Sequence, residues 1–162
     1  MPKIPEQVEK ILDNALVCSF TCIDGKNRPI THPLLPLYDK TQGKLYFTSS
    51  ILFSKKLEHI KNNPKVSVLF SNRRHIPNIS DEEFHVVLIK GDAVVDETDI
   101  HHGWEKLIPL WQRKEPYIMA FIKQRIALPL FWERAVIEVE PRKIYVWEHG
   151  DMNRDPILYE VV

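Results

Sequence analysis

Glycine is scarce. The chain of 162 residues holds five, none arranged as GxGxxG or as a Walker loop, so the folds in which backbone amides cradle a phosphate are excluded. Any phosphate must be held by side chains. Cysteine is scarcer: Cys18 and Cys22 fall on one face of a strand-like stretch, separated by roughly 13 Å at about 3.3 Å per residue, too far for a disulfide. They read as buried thiols, which fits a reducing cytoplasm. The seven histidines form no HExxH motif and the cysteines no CxxC, so no metal site is expected; His101 and His102 read as solvated residues at a helix start. No GxSxG elbow offers a serine nucleophile. Neither sign of charge is in excess, with 22 Lys+Arg against 22 Asp+Glu, which removes any global attraction to nucleic acid or anionic membrane. Charge effects must be local. Apolar runs such as Ile126 to Trp132 are too short to span a bilayer, and MPKIPEQVEK has no signal core, so a cytoplasmic protein is expected.

What is present suits one domain over 1–162, large enough to bury roughly 70% of its unfolded surface. Val8, Ile11, Leu12 and Leu16 have amphipathic-helix spacing over Pro5 to Leu16, a helix expected to cover one end of a barrel. Leu16 to Ile23 alternates like a strand and meets Asp24-Gly25, a hairpin signal. Ile30 to Tyr38 reads as the returning strand, and Pro33 and Pro36 demand an irregular or edge position with carbonyls left free. Phe84 to Val95 reads as a long strand with a bulge at Gly91. Thr98 or Asp99 and then Pro116 open a helical insertion expected to pack on the barrel or reach a partner. Ala135 to Val139 and Lys143 to Trp147 read as a final strand pair split at Glu140-Pro141-Arg142, followed by an irregular tail. Together these give a mainly β, mostly antiparallel barrel with a few helices.

The most informative stretch is KLYFTSSILFSKKLEHIKNNPKVSVLF, Lys44 to Phe70, which reads as strand, hydroxyl-rich turn, basic helix and strand. Thr48, Ser49 and Ser50 end the first strand. Ser54 is a candidate N-cap before Lys55, Lys56, Leu57 and Ile60, and Pro64 follows the helix. Hydroxyls and two ammonium groups at a helix start suit a phosphate.

The order of these pieces, with THPLLPLYD, LYFTSSILFSKK, VVLIKGDAVV and VIEVEPRKIYVWEHG, resembles the pyridoxamine 5′-phosphate oxidase-like FMN-binding split barrels from Leu16 to Trp147. The resemblance implies a split antiparallel β-barrel with helical insertions, a homodimer and FMN at the subunit interface. It implies that Phe47-Thr48 and Lys55-Lys56 hold the phosphate with Ser49 and Ser54. The flavin edge would rest on the backbone of Thr31, His32, Pro33 and Leu34, and Trp147 would complete the site. The authentic oxidase carries an arginine where Thr31 stands, has two fewer residues between the counterparts of Ser49 and Ser54, and ends in an arginine-rich substrate motif of which only Arg154 is kept. The expectation is therefore an FMN-dependent oxidoreductase acting on a small molecule other than a vitamin B6 phosphate, without an assigned acid or base. The alternatives are a deazaflavin-dependent reductase, a non-catalytic flavin or haem binder, and an interaction module with a solvated lysine helix.

Overall fold

The structure, a computed structural model, describes residues 4–52 and 55–162, with the side chain of Arg125 excepted. Helix α1, Glu6–Asn14, buries Val8, Ile11 and Leu12, the stripe expected from their spacing. Strands β1, Cys18–Ile23, and β2, Pro29–Leu34, form the expected hairpin. Its left-handed residue is Asn27 rather than Gly25, while the Asp24 carboxylate accepts from the Lys26 and Arg28 amides.

The returning strand expected over Ile30 to Tyr38, irregular at its prolines, is two strands. Leu35-Pro36 ends β2, and β3, Leu37–Asp39, pairs instead with β4, Lys44–Ser50. A proline within the sheet would lack its ladder donor, and here it falls between two strands. The remaining elements are α2, Lys56–Asn62; β5, Lys65–Phe70; β6, His85–Asp96; α3, Ile108–Lys114; α4, Ile118–Ile122; β7, Arg134–Glu148; and β8, Ile157–Glu160. The strand order is β2-β1-β5-β6-β7-β4-β3, with β8 on β7.

That order dictates a rolled sheet. Laid flat, β2 and β3 would stand six spacings of about 4.8 Å apart, roughly 29 Å. The chain joins them through Leu35-Pro36, which spans at most about 11 Å. The sheet must therefore curl until its two ends meet, with the seam between β2 and β3.

The expected final strand pair is one continuous strand. Glu140-Pro141-Arg142 lies on β7 between its pairing with β4, which stops at Val139, and with β8, which starts at Lys143. Neither β4 nor β8 pairs with Pro141 itself, and beside it Val161 N donates to Arg142 O at 2.9 Å. The bulge predicted at Gly91 is present, with the extra residue, Arg142, on β7: Lys90 faces Lys143 and Gly91 faces Pro141. The tail that was read as irregular supplies β8, which pairs with β7.

Inward side chains of β1, β4, β5, β6 and β7 pack with α1 and α2 into one cluster that includes Phe20, Phe47, Phe70 and Ile137. A second cluster lies on the outer face of β3, β4 and β7. There Leu37, Tyr46 and Val136 meet Trp104, Leu107, Trp111, Ile118, Ile122 and Trp132, so the helical insertion does pack on the barrel. Lys114 of α3 ties the insertion to the barrel. Its ammonium donates to the carbonyls of Leu12, Ala15 and Pro36 at 2.6–2.7 Å. Among the described residues no helix is long and apolar enough to cross a membrane.

Candidate functional site

Strand alternation sorts the end of β4 onto two faces. Leu45, Phe47 and Ser49 point into the barrel; Tyr46, Thr48 and Ser50 point out. Strand β3 covers β4 only from Lys44 to Tyr46, so Thr48 to Ser50 run on without a neighbour on that edge among the described residues. Strand β2 is an edge strand, paired only with β1 among the described residues. Between the bare end of β4 and this edge lies a cleft of about 480 Å³, lined by His32, Pro33, Leu34, Thr48, Ser49, Ser50, Lys55, Lys56 and Arg134. Helix α2 supplies the lysines because Leu57 and Ile60 anchor it in the barrel interior.

The lining is cationic and hydroxylic, with no carboxylate among the described residues. Lys56 is only 7% exposed, and its Nζ donates to Ser49 Oγ at 2.8 Å. Burial lowers its pKa, and the nearby Arg134 charge lowers it further. Arg134 stands on the outer side, donating from Nε to Thr48 Oγ1 at 2.9 Å and from Nη2 to Thr48 O at 3.1 Å. Burial pulls the guanidinium down to about 10. Two like charges brought together and partly desolvated favour an anion between them. Nδ1 of His32 is buried without a hydrogen-bond partner among the described residues, and burial followed by the Lys56 charge lowers the pKa of the ring. Helix α2 is only seven residues long and Lys55 occupies its N-cap, so attraction for an anion rests on side chains rather than on a helix dipole.

Most of the residues expected at the site converge here: His32, Pro33, Leu34, Thr48, Ser49, Lys55 and Lys56. Ser54, the expected cap and phosphate helper, lies outside the described residues. Phe47 is fully buried, packed edge-on against Phe20 at 5.0 Å, so its side chain belongs to the core. Thr31 faces the other side of β2, hydrogen-bonded to Thr21 at 2.8 Å. Trp147 pairs with Val86 at the opposite end of β7 from Arg134 and does not line the cleft of the single chain. Arg134 escaped the sequence reading. Its proximity to Thr48 depends on the pairing of β4 with β7, which no local pattern announces.

Solved structures share this architecture. A pyridoxamine 5′-phosphate oxidase-related, FMN-binding protein from Nostoc punctiforme superposes with a TM-score of 0.64 at 16% identity, covering 99% of this chain and 93% of that one. The fold is the split β-barrel. An F420 reductase gives a TM-score of 0.59 at 17% identity, covering 87% of this chain and 98% of that chain. A FAD-binding protein from Mesorhizobium loti gives 0.57 at 18% identity, covering 89% and 94%. No protein-family model and no curated protein matches the sequence. In the split barrel described here the cleft lies beside the seam, where the rolled sheet fails to close.

Proposed function

We propose that this split barrel is an FMN-dependent oxidoreductase that works as a homodimer on a small molecule. The observation that carries the proposal is the donor set of the cleft: Lys55, the buried Lys56 and Arg134 around three hydroxyls, with no acid among them. That set fits a phosphate dianion, since charge-assisted bonds from ammonium and guanidinium are the strong ones. The free edge of β2 at His32 to Leu34 would support the ring system. A bound flavin supplies two-electron redox chemistry that these side chains lack. The residues here bind the phosphate end, orient the cofactor against β2 and, through Leu34 and Pro33, limit water on one side.

The dimer is supported by a row on the outer face of the sheet. Strand register places Pro33, Ser19, Leu69, Leu88, Tyr145 and Leu158 side by side across β2, β1, β5, β6, β7 and β8. The row begins at the cleft and runs toward the Trp147 side of β7, which would let a second copy bring its own Trp147 to the site. A deazaflavin reductase is the second reading, favoured by the fold shared with the F420 reductase and by the strongly cationic cleft.

The absorption spectrum of the purified protein, followed by titration with FMN, tests the proposal. Flavin bands or saturable FMN binding are expected; a Soret band or a colourless protein that refuses FMN would overturn it. Replacing Lys55 and Lys56 together by alanine is expected to weaken FMN binding by more than about 2 kcal/mol, the scale of two charge-assisted contacts.

A further inference from the structure

The insertion before β7 carries a stretch that its packing does not explain. Ile118, Ile122 and Trp132 are buried in the second cluster and pin its two ends. Between and beside them Ile126 is 90% exposed, Tyr117 79%, Phe121 58%, Leu128 and Leu130 56% each, and Phe131 46%. Large apolar side chains grouped in this way on a surface mark a docking site. The backbone is arranged for an apolar setting, because part of its bonding is internal: the amides of Ala127 and Leu128 bond to Gln124 O, and that of Phe131 to Leu128 O.

Charge decides the occupant. From Tyr117 to Trp132 the ionised residues are Lys123 and Arg125, both basic. Of the flanking acids, Glu115 is held by the Trp111 indole at 2.6 Å and Glu133 lies half-buried at the start of β7. A second copy docked on the same patch by a two-fold axis would set a basic stretch against its like. An anionic surface complements them, and apolar residues interleaved with Lys and Arg are what an interfacial segment needs.

We propose that residues 117–131, whose ionised residues are all basic, dock on the surface of an anionic lipid bilayer, the exposed apolar side chains entering the headgroup boundary. The docking stretch is tied to the cleft. Arg134 donates from Nη1 to Phe131 O at 3.3 Å, and its guanidinium lies 5.0 Å from the Phe131 ring. The proposal does not depend on the cofactor.

The test is co-sedimentation of the full chain with phosphatidylcholine vesicles, with and without phosphatidylglycerol. Partitioning onto the anionic vesicles is expected to exceed that onto the neutral ones by about ten-fold or more, roughly what two basic residues contribute near such a surface. The pair Leu128→Asp and Leu130→Asp is expected to abolish it. The pair Lys123→Glu and Arg125→Glu is expected to reduce it to the neutral level. Lys123, Leu128 and Leu130 are exposed, and unchanged thermal unfolding would establish that both variants fold. Absence of sedimentation with anionic vesicles, or sedimentation unaffected by either pair, would overturn the proposal. So would loss of a dimer in Leu128→Asp/Leu130→Asp, which would assign the patch to a second copy.

Discussion

The cleft turns on a few side chains whose charge is held under strain. Arg134 is the one to remove: Arg134→Met is expected to weaken FMN binding by about 1.5–3 kcal/mol, the range for a hydrogen bond to a charged group, as read by fluorescence titration. Unchanged affinity would place the phosphate away from Thr48. Lys114 makes a different prediction. Burial pulls its pKa down to about 7, whereas an unfolded lysine titrates near 10.4. Between those values the unfolded chain binds more protons, so stability contributed by this group rises with pH across that window and is lowest below 7. Chemical denaturation at several pH values is expected to show that slope, and Lys114→Met to abolish it. The same substitution removes the donors of three carbonyls and is expected to lower stability at neutral pH by about 2 kcal/mol or more. Lys55 and Lys56 were legible because they sit in one unbroken string beside the hydroxyls. Phe47 was misleading for the same reason: adjacency in sequence puts Phe47 and Thr48 together, and strand alternation sends them to opposite faces.

At the scale of elements, local signals located strands and turns but not their partners. Gly91 announced a bulge, and the structure shows why glycine is required: a Cβ there would lie 2.4 Å from Glu140 O. Gly91→Ala is expected to destabilise the protein by about 2–3 kcal/mol, because a backbone atom rather than a flexible side chain must move. A normal denaturation midpoint would refute that close approach. Pro141 was read as a break between two strands, since proline punctuates most strands. Its place inside β7 falls between the registers of β4 and β8, neither of which pairs with it, a fact of tertiary arrangement. Pro36 did mark a true break, and it sent β2 and β3 to opposite ends of the sheet.

For the whole molecule, the barrel class was legible from the succession of strand patterns, and the split form from its resemblance to a known family. The curling of the sheet was not, because it follows from the strand order. The proposed dimer belongs to this scale. Placing Asp at both Leu88 and Tyr145, central in the outward row, is expected to yield a monomer by sedimentation velocity and to lessen retention of FMN. A dimer that survives both changes would move the interface elsewhere.

The seam between β2 and β3 carries a mechanical consequence. A tube slit along one side stays stiff to bending and loses most of its resistance to torsion, and a fastener across the slit restores it. The cleft lies along that slit, one lip formed by His32 to Leu34 and the other by Thr48 to Ser50 beyond the end of β3. A ligand gripping both lips would act as a rivet. Its effect would be a loss of twisting freedom, felt first in the amides of β2 and β3 and least in β6, on the far side of the tube.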